Sequence, residues 1–343
     1  MKKIMLHANE SWSNIPEEFL EKFIERIRTL DFQTYPDMDS LKLREAYGAY
    51  LGVPVDNIIA GNGSDELLGM LIGNYLGEGG FLFTLNPDFS MYDFYAAAYK
   101  GGVKGFKVRE DLTWDVDEFI EAGKKEGPSL ILFSNPNNPT GQLASIEDLV
   151  KIIEAFPDIP VAIDEAYVEF CDGTIIGEVK NYDNLVVLRT LSKAFGLASI
   201  RVGFLIASDK IIGELQRMKV PYNVSAMGQI MGEIALESRG KALKASKVTI
   251  SERERMWKEI QSMKLSGLKI FPSHTNFFYG RGRAKEDLVS ALAIEDIFIR
   301  EYKGDSFRIT IGSPAVNDKL LRIINEKGEG QWGREFPKVI GRH

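Results

Sequence analysis

The chain has 343 residues, 44% of them hydrophobic, and a formal net charge of −7 at pH 7. This content supports sizeable cores in roughly two domains, and the scattered basic residues argue against a nucleic-acid partner. The only cysteine, Cys171, excludes an internal disulfide, and three widely separated histidines offer no metal-ligand spacing. No apolar run approaches the roughly 20 residues of a membrane span, and the N-terminal residues lack a signal-peptide core. We therefore expect a cytoplasmic globular protein without a metal or a membrane partner.

Through the first two-thirds of the chain, apolar spacing predicts alternating helices and strands. The predicted helices span residues 16–30, 40–51, 67–76, 91–99, 115–125 and 145–156. The predicted strands span residues 57–60, 81–85, 103–108, 129–134, 161–164, 186–188 and 203–207. This alternation is typical of an α/β fold in which helices cover both faces of a mostly parallel sheet. Binding sites in such sheets lie beyond the carboxyl ends of the strands.

Near residues 208–263 the pattern becomes all helical, and the elements after it are those of a smaller α+β domain. The predicted helices there span residues 211–218, 225–238, 241–263, 285–293 and 316–325. The predicted strands span residues 268–271, 276–279, 298–300 and 307–311. We therefore predict an N-terminal arm and helix at 1–26 that packs with the small domain, a large domain at 27–237, and the small domain with a tail at 238–343.

A lysine follows the predicted strand at 186–188, and the residues around it indicate a reactive amine in a cofactor site. Lys193 lies in apolar company, where partial desolvation favours the free amine, a nucleophile toward carbonyl groups. Arg201 comes eight residues later, and Thr190, Ser192 and Ser199 add hydroxyls nearby. An amine, a guanidinium and hydroxyls suit a cofactor with an aldehyde and a phosphate, as in pyridoxal 5′-phosphate (PLP). On this stretch alone, an ordinary lysine in a turn after a strand remains the alternative.

Three more clusters lie where other predicted strands end. The run 61–66, Gly-Asn-Gly-Ser-Asp-Glu, opens a helix with Ser64 as a plausible N-cap, and a helix N-terminus binds phosphate. Position 66 is Glu where a dinucleotide fingerprint requires glycine, so we set NAD aside. The run 135–141, Asn-Pro-Asn-Asn-Pro-Thr-Gly, makes a stiff turn that can hold an amide. Asp164 ends a buried strand, where it could pair with a protonated pyridine nitrogen, and Tyr167 follows as a hydrogen-bond donor.

In order and approximate spacing, these residues resemble the active-site series of the fold-type I PLP-dependent aminotransferases of class I/II. The chain is especially similar to histidinol-phosphate aminotransferases over about residues 5–325. That likeness rests on residues 35–37, 61–66, 135–141, 190–195 and 308–312. The resemblance implies the type I fold, with a mostly parallel seven-stranded sheet in the large domain. It also implies a homodimer with shared active sites.

The resemblance further implies a role for each matching residue. Lys193 would form a Schiff base with PLP and carry the proton, Asp164 would pair with the ring nitrogen, and Tyr167 with Asn138 would bond the phenolic oxygen. The ring would stack on Phe89, or on Tyr92 in its place. The other implied cofactor contacts are Ser64, Asp65, Glu66, Thr190, Ser192, Arg201 and, from the partner subunit, Tyr35. The implied substrate contacts are Arg300, Arg308, Asn9 and Asn138.

The implied reaction is a ping-pong transfer of the amino group of L-histidinol phosphate to 2-oxoglutarate, in histidine biosynthesis. Two alternatives keep the same cofactor residues: a threonine-phosphate decarboxylase, and an aromatic amino-acid aminotransferase in which Arg308 holds a carboxylate. A PLP-sensing regulator would need an attached DNA-binding domain, for which the short N-terminal arm leaves no room.

Overall fold

The computed structural model describes residues 3–328. Its strands are β1 Ile4–Leu6, β2 Ile58–Asn62, β3 Phe81–Asn86, β4 Gly102–Lys107, β5 Leu130–Ser134, β6 Val161–Asp164, β7 Leu185–Thr190, β8 Val202–Ala207, β9 Lys269–Ile270, β10 Phe277–Arg281, β11 Ile297–Glu301 and β12 Ser306–Thr310. Its α-helices are α1 Glu17–Arg28, α2 Leu41–Leu51, α3 Ser64–Leu76, α4 Met91–Ala98, α5 Val116–Glu126, α6 Ile146–Ala155, α7 Asp209–Gln216, α8 Ala226–Glu237, α9 Arg239–Ala242, α10 Lys244–Ser262, α11 Lys285–Ile294 and α12 Pro314–Gly328. The strands form two sheets.

The larger sheet has seven strands in the order β2-β8-β7-β6-β5-β3-β4. Only β8 runs antiparallel to its neighbours, so the predicted mostly parallel sheet is confirmed. Side chains of β5 alternate between two apolar clusters: Ile131 and Phe133 belong to one, and Leu130 and Leu132 to the other. Because both faces of the central strands β5, β6, β7 and β8 are covered, these strands read as nearly continuous apolar runs with polar side chains at their ends, whereas the edge strand β4 is largely exposed. Those ends form the candidate site.

The smaller sheet has five strands in the order β1-β11-β12-β10-β9, and the N-terminal arm contributes one of them. Ile4, Met5 and Leu6 pair in parallel with residues 297–299 of β11. From the sequence, residues 1–14 are interpreted only as an extended arm, because three residues give too little periodicity to indicate a strand. The pairing fixes the residues that follow β1 against both sheets.

Helix α1, which the prediction groups with the small domain, contacts α8 and also forms an ion pair with α9, from Glu18 to Lys241 at 2.6 Å. Phe19 belongs to the apolar cluster under the large sheet, and Arg26 forms an ion pair with Glu233 of α8 at 2.9 Å. The strand before α1 joins the small sheet through β11. The domain limits at 26 and 237 stay a prediction.

Two helix boundaries also differ from the predictions. The predicted helix at 241–263 is interrupted at Leu243, whose backbone leaves the helical region, so α9 and α10 are separate. Gly63, not Ser64, is the N-cap residue of α3, with a φ of 79° that favours glycine. Within residues 3–328, no helix combines the length and apolarity needed to cross a membrane.

Candidate active site

A cavity of about 440 Å³ opens at the carboxyl ends of the large sheet and is bounded on one side by β11 and β12. It brings together most of the predicted site residues: Asn9, Ser64, Asp65, Phe89, Asn138, Asp164, Tyr167, Thr190, Ser192, Lys193, Arg201, Arg300 and Arg308. These residues come from eight separate parts of the chain, so their convergence is a property of the fold.

Lys193 lies in the loop after β7, at the wall of the cavity. Its Nζ donates a hydrogen bond to the backbone oxygen of Ala8 at 3.0 Å and lies 5.9 Å from the ring centre of Tyr167. Ser192 before the lysine and Ala194 and Phe195 after it are buried, whereas Lys193 itself is half-buried. The amine is therefore held at the cavity by the loop on one side and by the N-terminal arm on the other.

Asp164 is the last residue of β6 and is buried. Its carboxylate accepts hydrogen bonds from the Tyr92 hydroxyl and the Ala166 N–H, both at 3.1 Å, and both donors are neutral. Desolvation raises the pKa of this carboxyl to about 6, although the two hydrogen bonds oppose the shift. A buried carboxylate with neutral partners is a site that a cation would stabilise.

Only one of the two aromatic residues considered for ring stacking, Phe89 and Tyr92, lines the cavity. Tyr92 is buried behind Asp164 and does not line the cavity, whereas Phe89 does, with its ring edge against Tyr92 at a centroid distance of 5.7 Å. Of the two aromatic residues considered for ring stacking, Phe89 is thus the one with a surface on the cavity.

One end of the cavity has the features of a phosphate site. Ser64 and Asp65 are the first residues of α3, a 13-residue helix, and both line this end, where a helix N-terminus favours an anion. Arg201, in the left-handed region with a φ of 53°, reaches across to the Asp65 carboxylate at 2.6 Å. A Cβ at Gly63 would lie 2.5 Å from the Arg201 guanidinium, and one at Gly203 would lie 2.3 Å from the Ser64 nitrogen. Both glycines are needed for this close approach.

Two hydroxyls complete the same end. The Thr190 hydroxyl donates to Oγ of Ser192 at 2.9 Å and accepts the Ser192 N–H at 3.0 Å, and both residues are buried. They follow directly from β7, so the strand that leads to Lys193 also supplies these groups.

The opposite end carries two arginines. Arg300 of β11 and Arg308 of β12 are paired across the two antiparallel strands, which places their side chains on one face. Arg308 donates to Oδ1 of Asn138 and, at 2.8 Å, to the backbone oxygen of His7. The Nε of Arg308 is buried without a hydrogen-bond partner. This end is therefore cationic and retains donor capacity.

Two of the implied contact residues do not line this chain's own cavity: Glu66, and Tyr35, for which the resemblance implies a contact in the partner subunit. The Glu66 carboxylate accepts from the Asn62 N–H at 2.6 Å and from Nδ2 of Asn223 at 2.8 Å, and these donors hold it against the strand before α3. Tyr35 is 78% exposed and stacks on Tyr222 at a centroid distance of 4.6 Å.

Sequence reasoning also missed residues that belong to the cavity wall. Asp88 accepts hydrogen bonds from the backbone N–H and hydroxyl of Ser134 and from the Phe89 N–H, which ties the turn before α4 to the end of β5. Burial raises the pKa of Asp88 to about 8. His7 and Tyr302 also line the cavity. The sequence signal for Asp88 was only its position next to Phe89. Its hydrogen-bond partner Ser134 is 46 residues away in sequence.

No group of three or more His, Cys, Asp and Glu side chains between residues 3 and 328 has the arrangement of a metal site. The cavity is lined by the Lys193 amine, the carboxylates of Asp65, Asp88 and Asp164, several hydroxyls and three guanidinium groups.

Comparison with known proteins identifies relatives of this arrangement. Residues 1–324 match the family model for aminotransferase class I and II. A curated histidinol-phosphate aminotransferase from Clostridium novyi is 39% identical over 94% of this chain and 91% of its own length. The crystal structure of the histidinol-phosphate aminotransferase from Clostridium acetobutylicum is 25% identical, with a TM-score of 0.84 over 94% of this chain and 98% of that one. The Sinorhizobium meliloti enzyme, crystallised with PLP, shares the fold at 24% identity, with a TM-score of 0.84 over 95% of this chain and 90% of its own.

Proposed function

Because this chain belongs to the aminotransferases of class I and II, we propose that it uses PLP to transfer the amino group of L-histidinol phosphate to 2-oxoglutarate. The observation that carries the proposal is that one cavity holds the Lys193 amine, the buried Asp164 carboxylate and a helix N-terminus beside Arg201. These are the three groups that an aldehyde, a pyridine nitrogen and a phosphate require.

The described residues fit this cofactor. The raised pKa of Asp164 reflects a carboxylate that a positive ring nitrogen would stabilise, and the start of α3 with Arg201, Thr190 and Ser192 would hold the phosphate. Phe89 would cover one face of the ring, and Asn138 with Tyr167 would bond the phenolic oxygen. Bound PLP acts as an electron sink that lowers the barrier to breaking a bond at the substrate's α-carbon.

The chain's own groups would perform the remaining work. Lys193 would hold the aldehyde carbon when no substrate is present and then move the proton to and from the α-carbon. Asp164 would keep the ring nitrogen charged. Arg201 has Asp65 as its present partner, so phosphate binding would replace a carboxylate by a dianion at the same guanidinium.

The arginine pair supports a phosphorylated substrate. Arg300 and Arg308 share one face of the small sheet and line the cavity, and two guanidiniums suit a dianionic phosphate. The same pair could hold the carboxylate of 2-oxoglutarate in the second half-reaction, which a ping-pong cycle requires of a single site.

We further propose that the enzyme is a homodimer. The exposed Tyr35 stacks on the exposed Tyr222, and Phe32 and Val220, which are close to these two residues in sequence, are 69% and 64% exposed. Contiguous exposed apolar side chains are typical of a protein interface. A second copy docked there would bring Tyr35 to a neighbouring site. Histidine biosynthesis and the absence of disulfide chemistry in a one-cysteine chain support a cytoplasmic location.

The test is to incubate the purified protein with PLP, L-histidinol phosphate and 2-oxoglutarate and to measure glutamate. We expect glutamate from the wild-type protein and none above background from Lys193→Ala. Release of carbon dioxide from threonine phosphate, or activity on phenylalanine without activity on histidinol phosphate, would contradict the proposed substrate.

The role of the arginine pair has its own test. Arg300→Met should lower kcat/KM for histidinol phosphate by about 10- to 100-fold, the loss expected for a charged hydrogen bond. The variant should have little effect on the slower reaction of histidinol, which lacks the phosphate. Arg283→Met, an exposed arginine elsewhere in the small domain, serves as the control. Equal losses on both substrates would argue against phosphate recognition by Arg300.

A further inference from the structure

Asn9 lies in the N-terminal arm and is fixed by contacts from two other parts of the chain. It is buried and has a φ of 56°, a region that asparagine tolerates better than most residues. Its backbone oxygen accepts from Nδ2 of Asn276 at 3.0 Å, and its backbone N–H donates to Oγ1 of Thr310 at 3.1 Å. These two bonds hold the backbone in place on the small sheet.

The Thr310 hydroxyl then determines which way the Asn9 amide points. Oγ1 of Thr310 already accepts the backbone N–H, so its own proton is available to Oδ1 of Asn9 at 3.1 Å. With Oδ1 toward Thr310, Nδ2 faces the Tyr167 hydroxyl oxygen at 2.8 Å and donates to it. The opposite orientation would make Tyr167 donate to Asn9 and would deprive the Thr310 proton of this acceptor.

The direction of this bond matters for Tyr167. A hydroxyl that accepts a hydrogen bond keeps its proton for another acceptor, and the accepted bond strengthens it as a donor. Tyr167 is buried, and it borders the cavity beside Lys193. Its proton is thereby left for an acceptor inside the cavity.

We propose that Asn9 is a positioning residue that directs the Tyr167 hydroxyl proton toward the phenolic oxygen of bound PLP. This inference rests on the proposed function, because it requires that oxygen as the acceptor. It assigns Asn9 a role through Tyr167, in place of the direct substrate contact that the family resemblance implies.

The inference has a spectroscopic consequence. PLP carries its phenolic oxygen next to the carbon that reacts with an amine, so a hydrogen bond to that oxygen draws negative charge away from the neighbouring nitrogen of Lys193. That nitrogen then holds its proton less tightly. Weakening the bond should raise the pH at which the visible absorption band of the PLP-loaded protein titrates.

The experiment titrates that band in the PLP-loaded full-length protein and measures PLP affinity in parallel. We expect Asn9→Ala and Asn9→Asp to raise the midpoint by about 0.5–1 pH unit, the scale of one hydrogen bond. Aspartate keeps the size of the side chain but can only accept, so it would take the Tyr167 proton for itself. Tyr167→Phe should shift the midpoint in the same direction and at least as far. Asn14→Ala, an exposed asparagine of the same arm, should leave it unchanged.

Thr310 provides a second test that leaves Asn9 in place. Thr310→Val removes the hydroxyl that orients the amide and should raise the midpoint, whereas Thr310→Ser should retain the wild-type value. This pair decides the question if the Asn9 variants fail to fold. Wild-type midpoints in the Asn9 variants and in Thr310→Val, or in Tyr167→Phe, overturn the inference. A wild-type protein that shows no visible band with PLP contradicts the proposed function instead.

Discussion

Burial raises the pKa of the Asp164 carboxyl to about 6, although the Tyr92 hydroxyl and the Ala166 N–H both favour its charged form. The ordinary pKa of an aspartate side chain is 3.8. Between these two values the folded chain without cofactor binds more protons than the unfolded chain. Its stability therefore falls as the pH rises through this window, and the loss is complete above it. At neutral pH the cost is about 2–3 kcal/mol, from roughly two pH units at 1.36 kcal/mol each.

Asp164→Asn removes this cost, since an amide can still accept the Ala166 N–H and can donate to Tyr92. We expect the variant without PLP to be more stable than the wild type by about 2 kcal/mol at pH 7. The difference should disappear below about pH 3, where the aspartate is protonated in both states. Denaturant unfolding at the two pH values measures this, with the exposed Asp158→Asn as a control. The same variant should bind PLP more weakly, and a loss of stability at pH 7 would contradict the account.

At the scale of elements, β7 links the site to a buried ionic cluster. Thr190 faces the cavity, while its neighbour Arg189 pairs with Glu165 at 2.7 Å and with Glu169 at 3.5 Å, all of them nearly inaccessible. Arg189 also donates to the Thr174 hydroxyl at 2.6 Å. Burial raises the pKa of Glu169 to about 7, while the Arg189 charge opposes the shift. Strand β7 thus presents the Thr190 hydroxyl to the cavity and, from the adjacent position, the Arg189 guanidinium to a buried ionic cluster.

Arg189→Met should destabilise the protein strongly, because it leaves Glu165 buried without its cation. Breaking a buried pair in this way costs about 3–5 kcal/mol. Arg109→Met, which removes a pair with Glu118 in which both side chains are more than half exposed, should cost at most about 1 kcal/mol. Urea unfolding of the two variants provides the comparison. Similar small losses in both would show that the Arg189 cluster does not anchor the strand.

The sequence predicted elements well where their signal is local. Every strand of the large sheet was located within a few residues. For the central strands β5, β6, β7 and β8 the reason is that burial on both faces produces apolar runs that end in polar residues. Strand β1 was missed because its partner, β11, lies some 290 residues away and three residues have no period of their own. Among the site residues, Asp164 and Lys193 could be predicted because each lies at or just after the end of an apolar strand. Asp88 escaped because its burial depends on Ser134 on a different strand.

At the scale of the whole molecule, the position of Tyr35 makes the proposed dimer a functional unit. Tyr35 is 78% exposed and lies outside the cavity of its own chain, although the resemblance to aminotransferases gives it a cofactor contact. The two statements agree when Tyr35 reaches the cavity of a second copy across a two-fold interface. Each site would then need Lys193 from one chain and Tyr35 from the other.

Mixing two impaired chains tests this division of labour. Lys193→Ala has no reactive amine, and Tyr35→Ala should lose about 10- to 100-fold in activity through the missing phosphate contact. Co-expression of the two variants gives hybrid dimers in which one site combines an intact Lys193 with an intact Tyr35 from the other chain. With random pairing, half of the dimers are hybrids and one of their two sites is whole, so we expect roughly a quarter of wild-type activity. If Tyr35 served its own chain, no hybrid site would exceed the activity of Tyr35→Ala. Lys193→Ala mixed with Asp164→Asn is the matched control, since both residues serve the same chain's site and no pairing restores it.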